Sequence, residues 1–179
     1  MAKAKLTRQV RYSHLSTDEV GDVWFSESDQ GLWRIEFGRS KEQFLAELAS
    51  DGVVAKPDDK STESTRRLLR EYFAGKRHEF PVKIDWSRLE GFTRKALQVC
   101  ARIPHGKTMS YAEVAARAGS PGGARAVGQA MAKNPFPIIV PCHRVLKSDG
   151  SLGGFSGGLH FKRALLELEG ARAKPNRAR

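Results

Sequence analysis

Residues 138–145, with the sequence IIVPCHRV, place the thiol of Cys142 directly before the imidazole of His143 and directly after an apolar run. Only a thiolate attacks well, and a neighbouring base or positive charge favours its formation. A buried, inert cysteine is the commoner fate of this residue type, so the flanking segments must decide between the two interpretations. They favour a nucleophile, because a pattern of two short helices precedes the motif and a Gly-rich loop follows it.

The segment before the motif is a helix-turn-helix candidate. A capping box at residues 110–113 opens the first helix, a Pro-Gly turn follows at 120–122, and the second helix runs from Ala124 to Lys133. The second helix is rich in Gly and Ala, and its long side chains are chiefly Arg125 and Gln129. Such a surface suits close approach to a nucleic-acid backbone or narrow groove, with Arg125 entering the base stack. Close packing against another helix explains the same small residues equally well.

The segment after the motif contains a Gly-rich loop and a last helix. Residues 153–158, GGFSGG, do not match a phosphate-binding or dinucleotide fingerprint, and they are interpreted as a pocket wall of backbone amides or as a plain connector. Residues 159–169 form an amphipathic helix that ends at Glu169. A carboxylate faces an unfavourable dipole there, which predicts either a partner for Glu169 or a solvated surface position.

The N-terminal half is predicted to be a small α/β unit without a site of its own. Residues 23–26 and 32–37 have the composition of a β-hairpin, and Ser40 caps a helix that ends before Gly52. Residues 51–63 are predicted to be a loop, residues 64–74 a helix and residues 80–84 a short strand. The predicted division is a basic tail at 1–17, an α/β domain at 18–85, a DNA-binding domain at 86–170 and a basic disordered tail at 171–179.

The positive charge of the chain is confined to the half that carries Cys142. The net charge is +11; residues 1–85 hold 15 Lys and Arg and 15 Asp and Glu, whereas residues 86–179 hold 16 and 5. This asymmetry predicts a polyanionic partner, most simply nucleic acid, in preference to a merely solubilising surface.

Cysteine and histidine usage indicates a reducing compartment and no metal. Two cysteines do not make a disulfide framework, and a working thiol is expected in a reducing compartment. Cys100 lies on an apolar helical stripe and is predicted to be a core residue. The five histidines show no paired-ligand spacing around the cysteines, which argues against zinc. No apolar stretch reaches membrane-spanning length. The expected location is the cytoplasm.

Residues 92–170 resemble the O6-alkylguanine-DNA alkyltransferases, also called methylated-DNA–protein-cysteine methyltransferases. The resemblance runs in order and spacing through Ser110-Tyr111, the ARAVG helix at 124–128, Asn134-Pro135, PCHRV, the SGG of 156–158 and LLELEG at 165–170. Residues 72–77 resemble the N-terminal domain of that family less distinctively. The resemblance implies a ribonuclease-H-like α/β domain followed by a mostly α domain with a winged-helix-like helix-turn-helix.

The same resemblance implies the chemical roles. Cys142 would accept the alkyl group, His143 would deprotonate it through a water, and Glu169 would orient His143, in a relay similar to a hydrolase triad. Tyr111 would contact the flipped guanine and donate a proton. Asn134 would brace the turn between the second helix and the cysteine.

The implied DNA and substrate contacts surround these groups. Arg125 would fill the gap left by the flipped base, and the neighbouring DNA contacts would come from Tyr111, Ala124, Ala126, Gly128 and Gln129. The alkyl pocket would be lined by Met131 and Pro137. The backbone of Cys142 and Val145 would accept from the guanine amine, and the Ser156 amide would donate to O6. Phe155 stands where many relatives carry tyrosine, so a hydroxyl contact to the base is absent.

The implied function is direct reversal of O6-alkylguanine in duplex DNA, with O4-alkylthymine as a further possible substrate. The product is a thioether that water does not cleave, so each molecule acts once, without cofactor or metal and as an expected monomer. Three alternatives remain: a noncatalytic lesion binder, an alkylation-responsive regulator and a cysteine hydrolase. Relatives of the first kind replace the cysteine, the second needs an additional domain, and adjacent Cys142 and His143 rarely give hydrolase geometry.

Overall fold

The N-terminal half of the chain folds around a four-stranded sheet in the computed structural model, which describes residues 8–174. The strands are β1 (Gln9–Thr17), β2 (Gly21–Ser28), β3 (Gly31–Phe37) and β4 (Val54–Pro57). Their order is β3-β2-β1-β4, with β1, β2 and β3 antiparallel and β4 parallel to β1. The predicted hairpin is confirmed as part of β2 and β3.

Helices cover both faces of this sheet, which is why its central strands are buried on both sides. Helix α1 (Lys41–Ser50) packs Phe44 and Leu48 against one face. Helix α2 (Glu63–Phe73) packs Leu69 and its aromatic neighbours against the other face. Successive residues of β2 therefore enter different cores, because side chains alternate across a strand.

The C-terminal half is mostly helical. Its helices are α3 (Gly91–Cys100), α4 (Tyr111–Arg117), α5 (Ala124–Ala132) and α6 (Leu159–Leu168). A short parallel pair, β5 (Met109–Ser110) and β6 (Val145–Leu146), joins the start of α4 to the segment that follows the cysteine. No helix within residues 8–174 is long and apolar enough to cross a membrane.

The predicted helix caps are present at both positions. The Ser40 hydroxyl accepts a hydrogen bond from the backbone of Gln43, and the Gln43 side chain accepts one from the backbone of Ser40. Ser110 and Glu113 form the same reciprocal pair at α4. The capping box satisfies backbone donors that a helix start otherwise leaves unpaired, so these serines fix where α1 and α4 begin.

One hydrophobic cluster joins the two halves. It contains Phe25 and Ile35 of the sheet together with Leu97, Val140 and Leu165 of the C-terminal half. The prediction that Cys100 is a core residue is confirmed, because its side chain is fully buried in this cluster and both cysteines are free thiols.

The predicted tail at residues 1–17 is wrong over residues 9–17. These residues form β1, which lies between β2 and β4. Val10 and Tyr12 are buried on the face that α1 covers, whereas Leu15 is buried on the other face. The alternation of apolar residues outweighs the basic composition that suggested a tail, and residues 1–7 lie outside the described part of the chain.

Two further assignments in the N-terminal half need correction. The predicted loop at 51–63 contains β4, whose pairing with β1 is a long-range contact that local composition does not encode. The predicted strand at 80–84 forms only one bridge, between Ile84 and Leu32. Pro81 lacks a backbone donor within that segment, which prevents a regular ladder.

The predicted disordered tail at 171–179 is wrong over residues 171–174. Ala171 is buried, and the backbone of Lys174 donates to the carbonyl of Gly150 at 2.8 Å. These contacts hold the segment beside Ser151, with which Lys174 forms a bridge. Residues 175–179 lie outside the described residues.

The start of β3 supplies a test of how the segment at 80–85 attaches to the sheet. Gly31 has a φ of +132°, and a Cβ there would clash with the carbonyl oxygen of Lys83, which accepts a hydrogen bond from the backbone of Leu32. Gly31→Ala is expected to lower the free energy of unfolding by about 2–4 kcal/mol, from backbone strain plus this clash. Urea unfolding measures the change.

Gly21→Ala is the matched control. Gly21 has a φ of +71°, but a Cβ there meets nothing within 4 Å. The control is expected to lose about 1–2 kcal/mol from backbone strain alone. Equal losses for the two variants would show that the contact with Lys83 does not constrain the fold.

Candidate active site

Cys142 begins a 3-10 turn, Cys142–Arg144, that a braced loop holds in place. The Asn134 side chain donates to the Val140 carbonyl at 2.8 Å and accepts from the Phe136 backbone at 3.0 Å. Between them Ile138 has a φ of 75°, a left-handed conformation unusual for a β-branched residue. The two hydrogen bonds of the Asn134 side chain stabilise this strained loop, and the loop fixes the position of Cys142.

The thiol lies at the wall of an apolar cavity of about 650 Å³. Helices α4 and α5 form one side and the Gly-rich loop forms the other. Eight of the predicted site residues line it: Cys142, Tyr111, Ala124, Arg125, Gly128, Met131, Phe155 and Ser156. Cys142 is 5% exposed, so a ligand must enter the cavity to reach the sulfur.

A second, more polar cavity of about 390 Å³ also reaches Cys142, from the side of the N-terminal half. Asn134 and Pro137 line this second cavity instead of the first. The residues that the N-terminal half contributes to this cavity include Arg34 and Phe37 of β3. The predicted pocket residue Pro137 therefore lines the second cavity, to which Ala132 at the end of α5 also contributes.

His143 and Glu169 are brought together although 26 residues separate them. The His143 Nε2 atom lies 2.7 Å from Glu169 Oε1, and both side chains are fully buried. An ionised carboxylate can only accept, so Nε2 carries the proton and Nδ1 holds a lone pair. Nδ1 is buried and has no hydrogen-bond partner among the described residues. The imidazole is thus in the tautomer that can accept a proton.

Glu169 is ionised because several donors surround it. Arg144 binds it through two nitrogens, each at 2.8 Å, and the Tyr72 hydroxyl donates to Oε1 at 2.6 Å. The backbone of Gly106 lies within 3.4 Å of Oε2. Burial alone would raise the pKa of Glu169, but the hydrogen bonds from His143, Arg144 and Tyr72 hold it well below its usual range.

The environment keeps both the Cys142 thiol and the His143 imidazole neutral. Burial raises the pKa of the Cys142 thiol, although Asn134 and Lys162 oppose the shift. Burial also lowers the pKa of His143, although Glu169 opposes that shift. A neutral thiol beside a neutral imidazole can form a thiolate only by passing its proton to a base.

Lys162 is a buried cation beneath the cavity. Its Nζ donates to the Val145 carbonyl at 2.6 Å and to the Gly154 carbonyl at 3.3 Å, and it lies 3.5 Å from the Tyr111 hydroxyl. Burial lowers its pKa from 10.5 to about 8. The ammonium joins the segment after the cysteine to the Gly-rich loop, and it occupies the Val145 carbonyl that was predicted to bind a guanine amine.

The Gly-rich loop approaches Tyr111 closely. Gly153 has a φ of +70°, and a Cβ there would lie 2.8 Å from the Tyr111 ring. The Tyr111 hydroxyl donates to the Gly154 carbonyl at 3.3 Å. Burial raises the pKa of Tyr111, so the phenol remains a proton donor. On the other side of the loop, Phe155 stacks on Phe37 of β3 with ring centroids 6.1 Å apart.

Helix α5 presents a polar and small-residue edge to solvent beside the cavity. Arg125, Ala126 and Gln129 are exposed, whereas Ala124 and Gly128 are half-buried. Ala126 and Gln129 are predicted contacts that do not line either cavity. Within residues 8–174, no group of three His, Cys, Asp or Glu side chains could hold a metal ion.

Sequence reasoning missed three buried polar residues of the site: Arg144, Lys162 and Tyr72. A signal existed for Lys162, since it shares a helical face with Leu165, Leu166 and Glu169 at a spacing typical of buried positions. Arg144 is part of the motif itself. Tyr72 carries no such signal, because its hydroxyl reaches a carboxylate 97 residues away.

Two family models match the chain. One, described as the ribonuclease-like domain of 6-O-methylguanine DNA methyltransferase, matches residues 10–86. The other, described as the DNA binding domain of 6-O-methylguanine DNA methyltransferase, matches residues 91–171. Together they span both halves of the described structure.

Similar proteins carry the name methylated-DNA–protein-cysteine methyltransferase. The one from Mycobacterium tuberculosis H37Rv is 47% identical over 117 residues, covering 65% of this chain and 70% of the relative. The one from Methanothermobacter thermautotrophicus is 43% identical over 157 residues, covering 85% of this chain and 80% of the relative.

Solved structures have the same two-part fold. The structure of Mycobacterium tuberculosis OGT in complex with DNA superimposes with a TM-score of 0.74 at 35% identity, covering 90% of this chain and 92% of that one. The O6-methylguanine-DNA methyltransferase of Pyrococcus kodakaraensis gives a TM-score of 0.64 at 27% identity, covering 90% of this chain and 99% of that one.

The depressed pKa of Lys162 predicts a stability change with pH. Between about pH 8 and 10.5 the unfolded chain binds more protons at this residue than the folded chain, so the free energy of unfolding rises with pH through that window. The free energy of unfolding of the wild type relative to Lys162→Met should therefore increase, by at most about 3 kcal/mol. Urea unfolding at several pH values measures it.

Lys95→Met is the matched control, because Lys95 is an exposed lysine on helix α3. The free-energy difference between wild type and this control should stay flat over the same range. A flat difference for Lys162→Met as well would show that Lys162 is not a desolvated cation.

Proposed function

The chain belongs to the 6-O-methylguanine DNA methyltransferase family, and we propose that it repairs DNA by moving the alkyl group of O6-alkylguanine irreversibly onto its own Cys142. The observation that carries this proposal is the position of Cys142, in the wall of an apolar cavity beside α5 and next to the His143–Glu169 pair. An apolar cavity accommodates an alkylated base, and the adjacent base supplies the thiolate.

The reaction is a displacement at the alkyl carbon. The bond between that carbon and guanine O6 breaks, and a bond between the carbon and the Cys142 sulfur forms. The thiol proton passes through a water to Nδ1 of His143, and the departing guanine takes up a proton from the Tyr111 hydroxyl. Transfer of the His143 proton through solvent to the resulting Tyr111 phenolate restores both groups, so charge balances. Because water does not cleave the resulting thioether, one protein molecule repairs one lesion. O4-alkylthymine presents a similar alkyl ether and is a second possible substrate.

His143, Glu169 and Tyr111 divide the proton transfers. Glu169 holds the proton of His143 on Nε2 and stabilises the imidazolium that forms, as the carboxylate of a hydrolase triad does. Tyr111 is protonated at the cavity wall before the reaction, because its pKa is raised. It gives its hydroxyl proton to the guanine as the guanine leaves. Asn134 keeps the loop before Cys142 in its strained conformation.

The pocket recognises guanine mainly through backbone groups. The Ser156 amide lies in the loop that faces Cys142 and donates to O6 in this proposal, and Met131 lines the cavity beside the alkyl group. Pro137 borders the second cavity, which also reaches Cys142. The carbonyls of Cys142 and Val145 accept from the guanine amine; the Val145 carbonyl keeps one lone pair free beside its bond to Lys162.

Duplex DNA is the proposed partner, and α4 and α5 act as its helix-turn-helix. O6 is inaccessible inside a duplex, so the base must flip into the cavity. Arg125 is exposed at the cavity edge and fills the gap, while the small residues of α5 allow close approach to the backbone. The excess of basic residues after residue 85 supports phosphate contacts, as does the DNA complex of the Mycobacterium tuberculosis relative.

The remaining architecture follows the same proposal. The sheet domain corresponds to a ribonuclease-H-like unit, which begins at β1, and the helical domain after residue 86 corresponds to a winged-helix-like unit. We propose a monomer, since the reaction is contained within one chain. A working thiol requires a reducing compartment such as the cytoplasm.

Mass spectrometry tests the reaction directly. The wild-type protein mixed with duplex DNA carrying one O6-methylguanine is expected to gain one methyl on the Cys142 peptide, with guanine restored in the DNA. Cys142→Ala should bind the same DNA and gain no methyl. A methyl on another residue, or tight binding without transfer by the wild type, would contradict the proposal.

Comparing two substrates tests Arg125. Arg125→Ala is expected to slow repair of duplex DNA at least about tenfold, yet to leave the reaction with free O6-benzylguanine nearly unchanged, because only the duplex requires flipping. Single-turnover rates on both substrates measure this. The control is Arg163→Ala, an exposed arginine of α6 away from the Cys142 cavity, which should preserve both rates. Equal losses on the two substrates for Arg125→Ala would exclude the role.

A further inference from the structure

Tyr72 links the N-terminal half to the buried centre of the active site. It lies in the last turn of α2, is 1% exposed and packs its ring against Phe73 and Phe80. Its hydroxyl leaves this apolar core and donates to Glu169 Oε1 at 2.6 Å. No other side chain of the described N-terminal half hydrogen-bonds to Glu169.

The hydroxyl binds the same carboxylate oxygen that His143 uses. Oε1 accepts from Tyr72 at 2.6 Å, from His143 Nε2 at 2.7 Å and from Arg144 at 2.8 Å. Burial, followed by the negative charge of Glu169, raises the pKa of Tyr72 well above its usual range, so the phenol stays protonated. A permanent donor on Oε1 therefore fixes both the orientation of the carboxylate and the electron density that it offers to the imidazole.

We propose that Tyr72 is a positioning residue for alkyl transfer, whose hydroxyl holds Glu169 so that His143 remains the proton acceptor for Cys142. The inference rests on the proposed function. It gives the N-terminal half a part in the chemistry, since α2 controls the hydrogen bond on which the base depends.

The charged and titratable groups around the pair set the expected direction. They lie on the 3-10 turn, on α6, on the loop after α3 and on α2: Cys142, Arg144, Lys162, His105 and Tyr72. Arg144 and Lys162 disfavour a protonated His143, and Glu169 favours it. Removing the Tyr72 donor makes Glu169 a stronger acceptor and so raises the pKa of His143. His143 is then protonated up to a higher pH, and in that form it cannot accept the thiol proton.

The experiment measures the rate of Cys142 alkylation by free O6-benzylguanine between pH 5.5 and 9. This substrate reports the chemical step without base flipping. Tyr72→Phe, which removes one oxygen and keeps the ring, is expected to react roughly tenfold more slowly near neutral pH. The acid limb of its pH–rate profile should move to higher pH. An unchanged rate, a uniform loss with an unmoved limb, or a limb that moves to lower pH would overturn the proposal.

Tyr12→Phe is the matched control. Tyr12 is a buried tyrosine on the opposite face of the sheet, where it packs with Trp24 and Phe44. Removal of the Tyr12 hydroxyl should leave the alkylation rate and its pH profile as in the wild type. Failure of the wild type itself to react with either O6-benzylguanine or alkylated DNA would refute the proposed function, which separates that outcome from failure of the Tyr72 inference.

A second variant covers the case in which Tyr72→Phe does not fold. Replacement of Tyr72 alone by 3-fluorotyrosine keeps the hydroxyl and makes it a stronger donor. The acid limb should then move to lower pH, opposite to the shift for Tyr72→Phe. An unmoved limb in the fluorinated protein, with a wild-type melting temperature, would show that the hydroxyl only supports the fold.

Discussion

The buried carboxylate of Glu169 is the constraint on which the active site depends. An unpaired charge inside a protein is costly, so the chain must place donors around it. Arg144 supplies the opposite charge, His143 and Tyr72 supply further donors, and the Gly106 backbone closes the remaining side. These donors come from three separate segments, namely α2, the loop after α3 and the 3-10 turn, and Glu169 comes from a fourth, at the end of α6, so satisfying one carboxylate fixes how the four segments meet.

The same centre explains how a buried thiol can be both protected and reactive. The cavity is apolar, which keeps Cys142 protonated at rest. The His143 imidazole is kept neutral by burial, although Glu169 pulls its pKa upward. Lys162 adds a positive charge beneath the cavity and opposes the upward shift of the thiol pKa. In the proposed reaction, thiolate forms only as the proton moves to His143, when a substrate fills the space.

The two halves of the chain act as one body around this centre. They share a hydrophobic cluster, Phe155 of the Gly-rich loop stacks on Phe37 of β3, and Tyr72 of α2 reaches Glu169. The N-terminal half thus contacts the Gly-rich loop through Phe37 of β3 and contacts Glu169 through Tyr72 of α2. Solved structures that superimpose on the chain have the same two-part fold.

The sequence by itself determined the features that depend on local spacing: the capped helices at Ser40 and Ser110, the hairpin, the buried Cys100 and the adjacency of Cys142 to His143. It mistook β1 for a tail and overlooked β4, because strand pairing depends on partners distant in the chain. Only the tertiary structure decided that Tyr72 and Glu169 meet, that Arg144 neutralises the carboxylate and that Lys162 lies beneath the cavity. Such contacts form when whole helices pack, and the compatibility of one buried donor with one buried acceptor leaves no periodic trace in the sequence.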